Sequence, residues 1–169
     1  MTKLFITGKP HSGKTTILER VLDRIPRKCG FITREIPGDT HRLGFEVIGS
    51  DGSHWTFAHV DFSKQHKVSR YGVDVEGFGK WVSRFQHYSP NDILYIDEIG
   101  QMELHSHRFR QLAESYLQAD NSFIATLSSV YQDPLLEQIR SDPQAHIITV
   151  TDETREQAYR ECARILQLQ

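Results

Sequence analysis

The feature that most constrains the fold is a short apolar segment that runs directly into a glycine turn and then a helix. Residues 4–7 read LFIT and favour a buried strand, and residues 8–16 read GKPHSGKTT. Apolar residues follow at helical spacing over 13–25, and Pro26 ends the predicted helix. A strand, a glycine turn and a helix in this order form the context in which the pattern GxxxxGK[ST] is specific.

This pattern is the P-loop, or Walker A motif, and its chemistry explains the spacing. Glycines allow backbone N–H groups to approach a phosphate closely, and the new helix points its partly positive N-terminus at the same anion. We expect Lys14 to reach the β- and γ-phosphates and Thr15 to ligate Mg²⁺. A glycine turn before an ordinary helix is the alternative interpretation. The predicted nucleotide-binding residues are Gly8, Lys9, Pro10, His11, Ser12, Gly13, Lys14 and Thr15.

Beyond this unit the chain predicts a meander and then alternating strands and helices. Strands at 30–36, 42–49 and 54–60 are joined by turn residues typical of antiparallel hairpins. The remaining predicted elements are helix 76–87, strand 93–97, helix 103–118, strand 122–127, helix 133–140, strand 146–150 and helix 153–167, with Asp152 as the N-cap of the last. We therefore expect an α/β fold of the three-layer P-loop type, with a mostly parallel central sheet, helices on both faces and an antiparallel meander extension near 30–60.

Length, charge and hydropathy narrow the class of protein. A chain of 169 residues corresponds to about one domain, so we expect 1–169 to form a single domain. The net charge of -2 does not imply a nucleic-acid partner. No apolar run approaches the roughly 18 residues of a membrane span, so we expect no membrane partner and a cytoplasmic location. Cys29 and Cys162 are expected to be free thiols.

A second motif, ILYIDEIGQMEL at 93–104, ends a buried strand on two adjacent carboxylates. Ligands of open α/β sheets bind outside the carboxyl ends of the strands, so these acids should reach the same edge as the P-loop. Because successive strand side chains point to opposite faces, we assign Asp97 to the Mg²⁺ shell and Glu98 to the water that attacks the γ-phosphate. In the alternative interpretation, Asp97 and Glu98 are only the N-cap and first turn of the next helix. For Glu103, at the start of that helix, a favourable interaction with the helix dipole is a sufficient explanation.

The motifs GKPHSGKTT, GFITREI, HRLGFEVI, VSRYGVDVEGF and IDEIGQMEL, in this order and spacing, resemble the nucleoside-triphosphatase family often called the cancer-related NTPases. The resemblance covers nearly the whole chain. It implies slow, Mg²⁺-dependent hydrolysis of ATP, GTP and other nucleoside triphosphates with little base preference. Carried over by position, it implies Gly8 to Thr15 as the nucleotide-binding run and Asp97 with Glu98 as the acidic second motif.

The chain departs from the family pattern at three positions. His11 stands where glycine is usual, and Gln101 and Arg70 stand where lysine is common. If a lysine at position 101 helps to neutralise the γ-phosphate, this protein should be slower than its relatives. A second cation on that phosphate can be worth about 10³ to 10⁵ in rate. Arg70, Arg140 and Arg155 are candidates that the sequence does not place.

Two other classes of function remain open at this stage. A nucleotide or small-molecule kinase would share the P-loop and the sheet, and it would add an arginine-rich lid over its acceptor. No such arginine cluster is evident, and the adjacent acids favour water as the acceptor. A nucleotide-switched module that binds a protein or RNA is the second class, with the meander at 30–60 as its docking surface.

Overall fold

The computed structural model describes residues 1–168, and within that range nine strands form one mixed sheet. The strands are β1 (Lys3–Gly8), β2 (Lys28–Ile36), β3 (Gly44–Gly49), β4 (His54–His59), β5 (His66–Val68), β6 (Tyr71–Val73), β7 (Ile93–Ile99), β8 (Phe123–Ser128) and β9 (His146–Thr149). Their order across the sheet is β5-β6-β4-β3-β2-β7-β8-β1-β9. The order places β1, which leads into the P-loop, between β8 and β9.

The sheet divides into a parallel half and an antiparallel half that meet at β2. The neighbours β2, β7, β8, β1 and β9 pair in parallel. On the other side β2, β3, β4, β6 and β5 pair antiparallel in succession. The hairpin turns predict the β2–β3 and β3–β4 pairs. The expected α/β architecture with a meander extension is confirmed, and all carboxyl ends of the parallel strands meet at one edge.

Helices lie on both faces of the sheet. They are α1 (Lys14–Leu22), α2 (Val75–Val82), α3 (Gln101–Leu104), α4 (His107–Gln118), α5 (Pro134–Ser141) and α6 (Arg155–Ile165). Alternation along β1 separates the two cores: Phe5 packs in the cluster that contains α2, α4 and α5 residues. Leu4 and Ile6 pack in the cluster that contains α1 and α6 residues. Three layers follow from this alternation, because successive strand side chains enter opposite cores.

Three local expectations are wrong. The segment after β4 forms the short strands β5 and β6, which the sequence did not predict. The predicted helix 103–118 is divided, because Ser106 has extended backbone and its hydroxyl accepts the Phe109 N–H at 3.2 Å to begin α4. The N-cap of α6 is Thr154, and Asp152 instead accepts a hydrogen bond from Arg155.

Two further expectations concern the chain's chemistry and hydropathy. Cys29 and Cys162 are both buried and free, as predicted. Among the helices of residues 1–168, none has the length and apolar character needed to cross a membrane.

Candidate active site

The glycine loop between β1 and α1 depends on two glycines and on a short turn. A Cβ at Gly8 would lie 2.5 Å from the Val150 carbonyl oxygen, so only glycine allows the loop to begin this close to the end of β9. Gly13 has φ of 105°, in the left-handed region, where it precedes Lys14 at the start of α1. The Ser12 N–H donates to the Lys9 carbonyl at 3.1 Å and closes the turn. The sequence motif therefore folds as a compact loop at the N-terminus of α1.

His11 and Ser12 show how this loop is adapted to an anion. His11 has φ of 66°, a left-handed conformation that glycine adopts without strain, which agrees with the glycine that the family resemblance leads us to expect at this position. The Ser12 hydroxyl is buried and has no hydrogen-bond partner among residues 1–168. A buried donor without a partner is costly, and a phosphate oxygen in the loop would satisfy it.

Lys14 joins the loop to the acidic strand β7. Its Nζ donates to Glu98 Oε2 at 3.0 Å and to the Leu127 carbonyl at 3.2 Å. The lysine side chain is largely buried, whereas the Glu98 side chain is 36% exposed. The ammonium group therefore lies at the ends of β7 and β8, with its charge balanced by a carboxylate that solvent can still reach.

Thr15 and Asp97 form a second link between the same elements. The Thr15 hydroxyl donates to the two Asp97 carboxylate oxygens at 3.2 and 3.0 Å. The Thr126 hydroxyl donates to Oδ1 at 2.5 Å, and the Thr33 N–H donates to Oδ2 at 3.4 Å. Burial raises the pKa of Asp97 to about 6, although the hydrogen bonds from Thr126, Thr15 and Thr33 act to lower it. The charge of the nearby Glu98 also raises this pKa.

The donor set at this point fits Mg²⁺. Thr15 and Asp97 supply a hydroxyl and a carboxylate, the hard oxygen ligands that Mg²⁺ prefers, and this ion usually keeps several waters rather than filling an all-protein cage. Within residues 1–168 no group of three His, Cys, Asp or Glu side chains could hold a metal. A cation bound by one or two side chains and by phosphate oxygens is consistent with both observations.

Asp97 and Glu98, which strand alternation predicts on opposite faces of the sheet, both reach one cavity at the end of β7. Both side chains line one cavity of about 910 Å³, together with Lys14 and Thr15. The pairing of β7 with β8 shifts its register between Ile96 and Ile99, so the simple alternation of a regular strand does not extend through the two acids. The two carboxylates differ in burial: Asp97 is 2% exposed, whereas the Glu98 side chain is 36% exposed.

Glu103 belongs to this acidic group, and the sequence interpretation missed it. The residue is buried and lines the same cavity, rather than lying exposed at a helix end. Burial first, and then the charge of Glu98, raise the pKa of Glu103 well above its ordinary range. A Cβ at Gly100 would lie 2.9 Å from Glu98 Oε1 and 3.2 Å from Glu103 Oε1, so glycine leaves room for both carboxylates.

The three arginine candidates are placed differently. Arg155 lines the cavity, but its guanidinium donates to the carbonyls of Ser12 at 2.7 Å and His11 at 3.0 Å and so supports the P-loop backbone. Arg140 donates to the Ser128 carbonyl, and Arg70 donates to the Arg42 carbonyl at 2.8 Å. Neither of these two lines the cavity that holds Lys14.

Two further polar residues, Gln101 and Arg42, line the cavity. Gln101, the position where lysine is common in the family, lines the cavity. Arg42 also lines it and was not among the sequence candidates. The signal for Arg42 was present only in the motif HRLGFEVI, whose role could not be derived without the fold.

Comparisons with known proteins agree with this geometry. The NTPase family model matches residues 3–163. The nucleoside-triphosphatase THEP1 of Thermotoga sp. strain RQ2 is 31% identical over 167 residues, which cover 97% of this chain and 95% of the relative. The nucleoside-triphosphatase THEP1 of Aquifex aeolicus is 33% identical over 165 residues, covering 91% and 93% respectively.

Two solved structures share the fold over almost the full length. The crystal structure of THEP1 from Aquifex aeolicus aligns with a TM-score of 0.83 and 31% identity, covering 98% of this chain and 99% of the other. The solution structure of a human cancer-related nucleoside triphosphatase aligns with a TM-score of 0.81 and 27% identity, covering 99% and 98%. The family resemblance expected from the motifs is confirmed, and the chain is an enzyme of the NTPase family.

Proposed function

We propose that this chain hydrolyses nucleoside triphosphates to nucleoside diphosphate and phosphate, with Mg²⁺ and with little preference for the base. The observation that carries the proposal is the double link between the P-loop and β7: Lys14 with Glu98 at 3.0 Å, and Thr15 with Asp97 at 3.0 Å. Family membership supports the same reaction. The breadth of base preference rests on the family resemblance and on the names of the relatives, which refer to nucleoside triphosphates in general.

The phosphate groups would be held by the loop 8–15. Its N–H groups and the start of α1 would face the β-phosphate, and the Ser12 hydroxyl would gain the partner that it lacks within the described chain. Thr15 with Asp97 would hold Mg²⁺, which would supply positive charge to the phosphate groups. Lys14 would exchange its contact with Glu98 for phosphate oxygens.

Burial separates the roles of the two acids. Asp97 is buried and accepts hydrogen bonds from the Thr15 and Thr126 hydroxyls, which fix its carboxylate beside Thr15, the other oxygen ligand proposed for Mg²⁺. Glu98 is more accessible and its only side-chain hydrogen bond among residues 1–168 is with Lys14. Once Lys14 contacts phosphate, the Glu98 carboxylate can accept a hydrogen bond from the attacking water and orient or deprotonate it.

The test is product analysis with several nucleotides. Purified protein is incubated with ATP, GTP, CTP or UTP, in Mg²⁺ or in EDTA, and free phosphate and nucleotides are quantified with and without candidate acceptor metabolites. We expect phosphate and nucleoside diphosphate in equal amounts for all four nucleotides, in Mg²⁺ only. Stoichiometric phosphorylation of an acceptor, with little free phosphate, would contradict hydrolysis and indicate a kinase.

A further inference from the structure

Arg42 is a cation at the rim of the active-site cavity that the mechanism above does not use. It lies in the loop between β2 and β3 and lines the same cavity as Lys14, Thr15, Asp97 and Glu98. We infer that Arg42 contacts the γ-phosphate in the transition state, as the second cation beside Lys14. This inference rests on the proposed hydrolysis, because it assigns a further residue to that reaction.

The other arginines of this cavity are held away from such a role. Arg155 is bound to the backbone of the P-loop through the carbonyls of His11 and Ser12. Arg34 donates to Glu19 on α1 at 2.9 Å, and more than half of its side chain is exposed. Arg155 is therefore committed to the backbone of the loop. Arg34, unlike Arg42, makes no second side-chain hydrogen bond and no aromatic contact among residues 1–168.

The sheet order places Arg42 on the side of the loop where the γ-phosphate should lie. Strand β2 pairs with β7, which carries Asp97 and Glu98, so the loop after β2 approaches the P-loop from the side of these acids. Helix α6, which carries Arg155, follows β9 on the opposite side of β1. Since Glu98 marks the position of the attacking water, the phosphate under attack lies on the side of Arg42.

The surroundings hold the Arg42 guanidinium close to the P-loop. Its Nε donates to the Tyr71 hydroxyl at 2.9 Å, and one Nη lies 3.5 Å from His11 Nε2. Its central carbon is 5.1 Å from the centroid of the Phe45 ring. These contacts reduce the side-chain freedom that would otherwise be lost on binding phosphate.

Donors remain available for an incoming phosphate. Among residues 1–168, Nη1 donates to Glu35 Oε1 at 2.7 Å, and Nη2 makes no hydrogen bond. The Glu35 side chain is about half exposed, so this ion pair is weak and a multiply charged phosphate can displace it. An arginine at this point can donate two parallel N–H groups to phosphate oxygens, which a lysine cannot do.

The experiment compares Arg42→Ala and Arg42→Lys with the wild type, and Arg84→Ala is the matched control. Arg84 also pairs with a carboxylate, Asp51 at 3.0 Å, but it does not line the active-site cavity. The readouts are phosphate release from ATP and GTP with Mg²⁺, thermal unfolding, and the affinity for ADP with and without aluminium fluoride, a mimic of the transferring phosphoryl group.

We expect Arg42→Ala to lower kcat by about 10³-fold with little change in KM, the scale of losing an arginine that stabilises the transition state. Its ADP affinity should match the wild type, but aluminium fluoride should no longer increase it. Arg42→Lys should retain the fold and remain slow, because it lacks the bidentate donor. Arg84→Ala should behave as the wild type.

Two results would overturn the inference. One is an Arg42→Ala or Arg42→Lys protein with wild-type kcat and a wild-type response to aluminium fluoride. The other is an equal loss of ADP affinity with and without aluminium fluoride, which would assign Arg42 a purely structural role. A wild-type protein that releases no phosphate from any nucleotide would instead refute the proposed hydrolysis, so the two failures are distinguishable.

Discussion

Replacing Asp97 with asparagine should remove turnover and, at neutral pH, make the nucleotide-free protein more stable. The carboxylate is buried beside Glu98, and its pKa rises from an ordinary 3.8 to about 6. A folded-state pKa above the unfolded value means that protonation stabilises the fold. That stabilisation is complete below about pH 3.8 and is lost as the pH rises to about 6.

The magnitude follows from the two pKa values. The difference between 3.8 and about 6 corresponds to about 3 kcal/mol of unfolding free energy at neutral pH, at about 1.36 kcal/mol for each pKa unit. Asparagine keeps one acceptor, and the hydroxyls of Thr15 and Thr126 can rotate to accept from its amide. The amide oxygen can take the place of Oδ2 and accept from the Thr33 N–H, but the amide N–H must then fit where the Thr126 hydroxyl lies 2.5 Å from Oδ1, and this relaxation costs about 1 kcal/mol. The net gain is about 2 kcal/mol, or roughly 4 to 8 °C in Tm for a chain of this size.

The assay is thermal unfolding of wild type and Asp97→Asn between pH 4 and 8, without nucleotide or divalent cations. The two proteins should have similar Tm near pH 4, and the difference should develop up to about pH 6 and then remain constant. Asp133→Asn is the control of opposite sign: the hydrogen bonds from Arg110 lower the pKa of Asp133, so that substitution should destabilise the fold at neutral pH. An Asp97→Asn protein that is less stable at pH 7.5, or a difference that does not vary with pH, would refute this reasoning.

Two further substitutions test neighbouring parts of the site. Lys14→Ala should weaken nucleotide binding and lower turnover together, because one ammonium group serves both. Titration calorimetry measures the binding and phosphate-release kinetics the turnover, and a loss of binding alone or of turnover alone would contradict this shared role. Glu103→Gln should raise the Tm at neutral pH, since burial beside Glu98 raises the pKa of Glu103, and a lower Tm at pH 7.5 with no recovery towards acid pH would contradict that cause.

The parts of the site that lie close together in the chain could be predicted from the sequence. The spacing of Gly8, Gly13 and Lys14 specifies a loop between one strand and one helix, and the structure forms that loop. Asp97 and Glu98 could be placed at the same edge because all parallel strands end there. Their relative orientation could not be predicted, because it depends on the register of β7 against β8.

The residues that the sequence interpretation missed are positioned by contacts between distant segments. Arg42 reaches the P-loop because Tyr71, on the unpredicted strand β6, accepts from its Nε. Glu103 lies on α3, a short helix that ends before Ser106, and it is buried in the cavity that Asp97 and Glu98 also line. A helical pattern shows where an apolar face lies, but it does not show that the carboxylate of Glu103 will share a buried cavity with those of Asp97 and Glu98.

The most direct test of the central claim is single-turnover hydrolysis by Glu98→Gln. Wild type and variant are loaded with a substoichiometric amount of labelled ATP, Mg²⁺ is added, and phosphate formation is followed alongside nucleotide binding. If Glu98 acts as the base for water, binding should be preserved and the rate of phosphate formation should fall by roughly 10² to 10⁴, the usual contribution of a general base. Phosphate formation at the wild-type rate would contradict the assignment of Glu98 as the base, and with it the proposal that Asp97 holds the metal while Glu98 activates water.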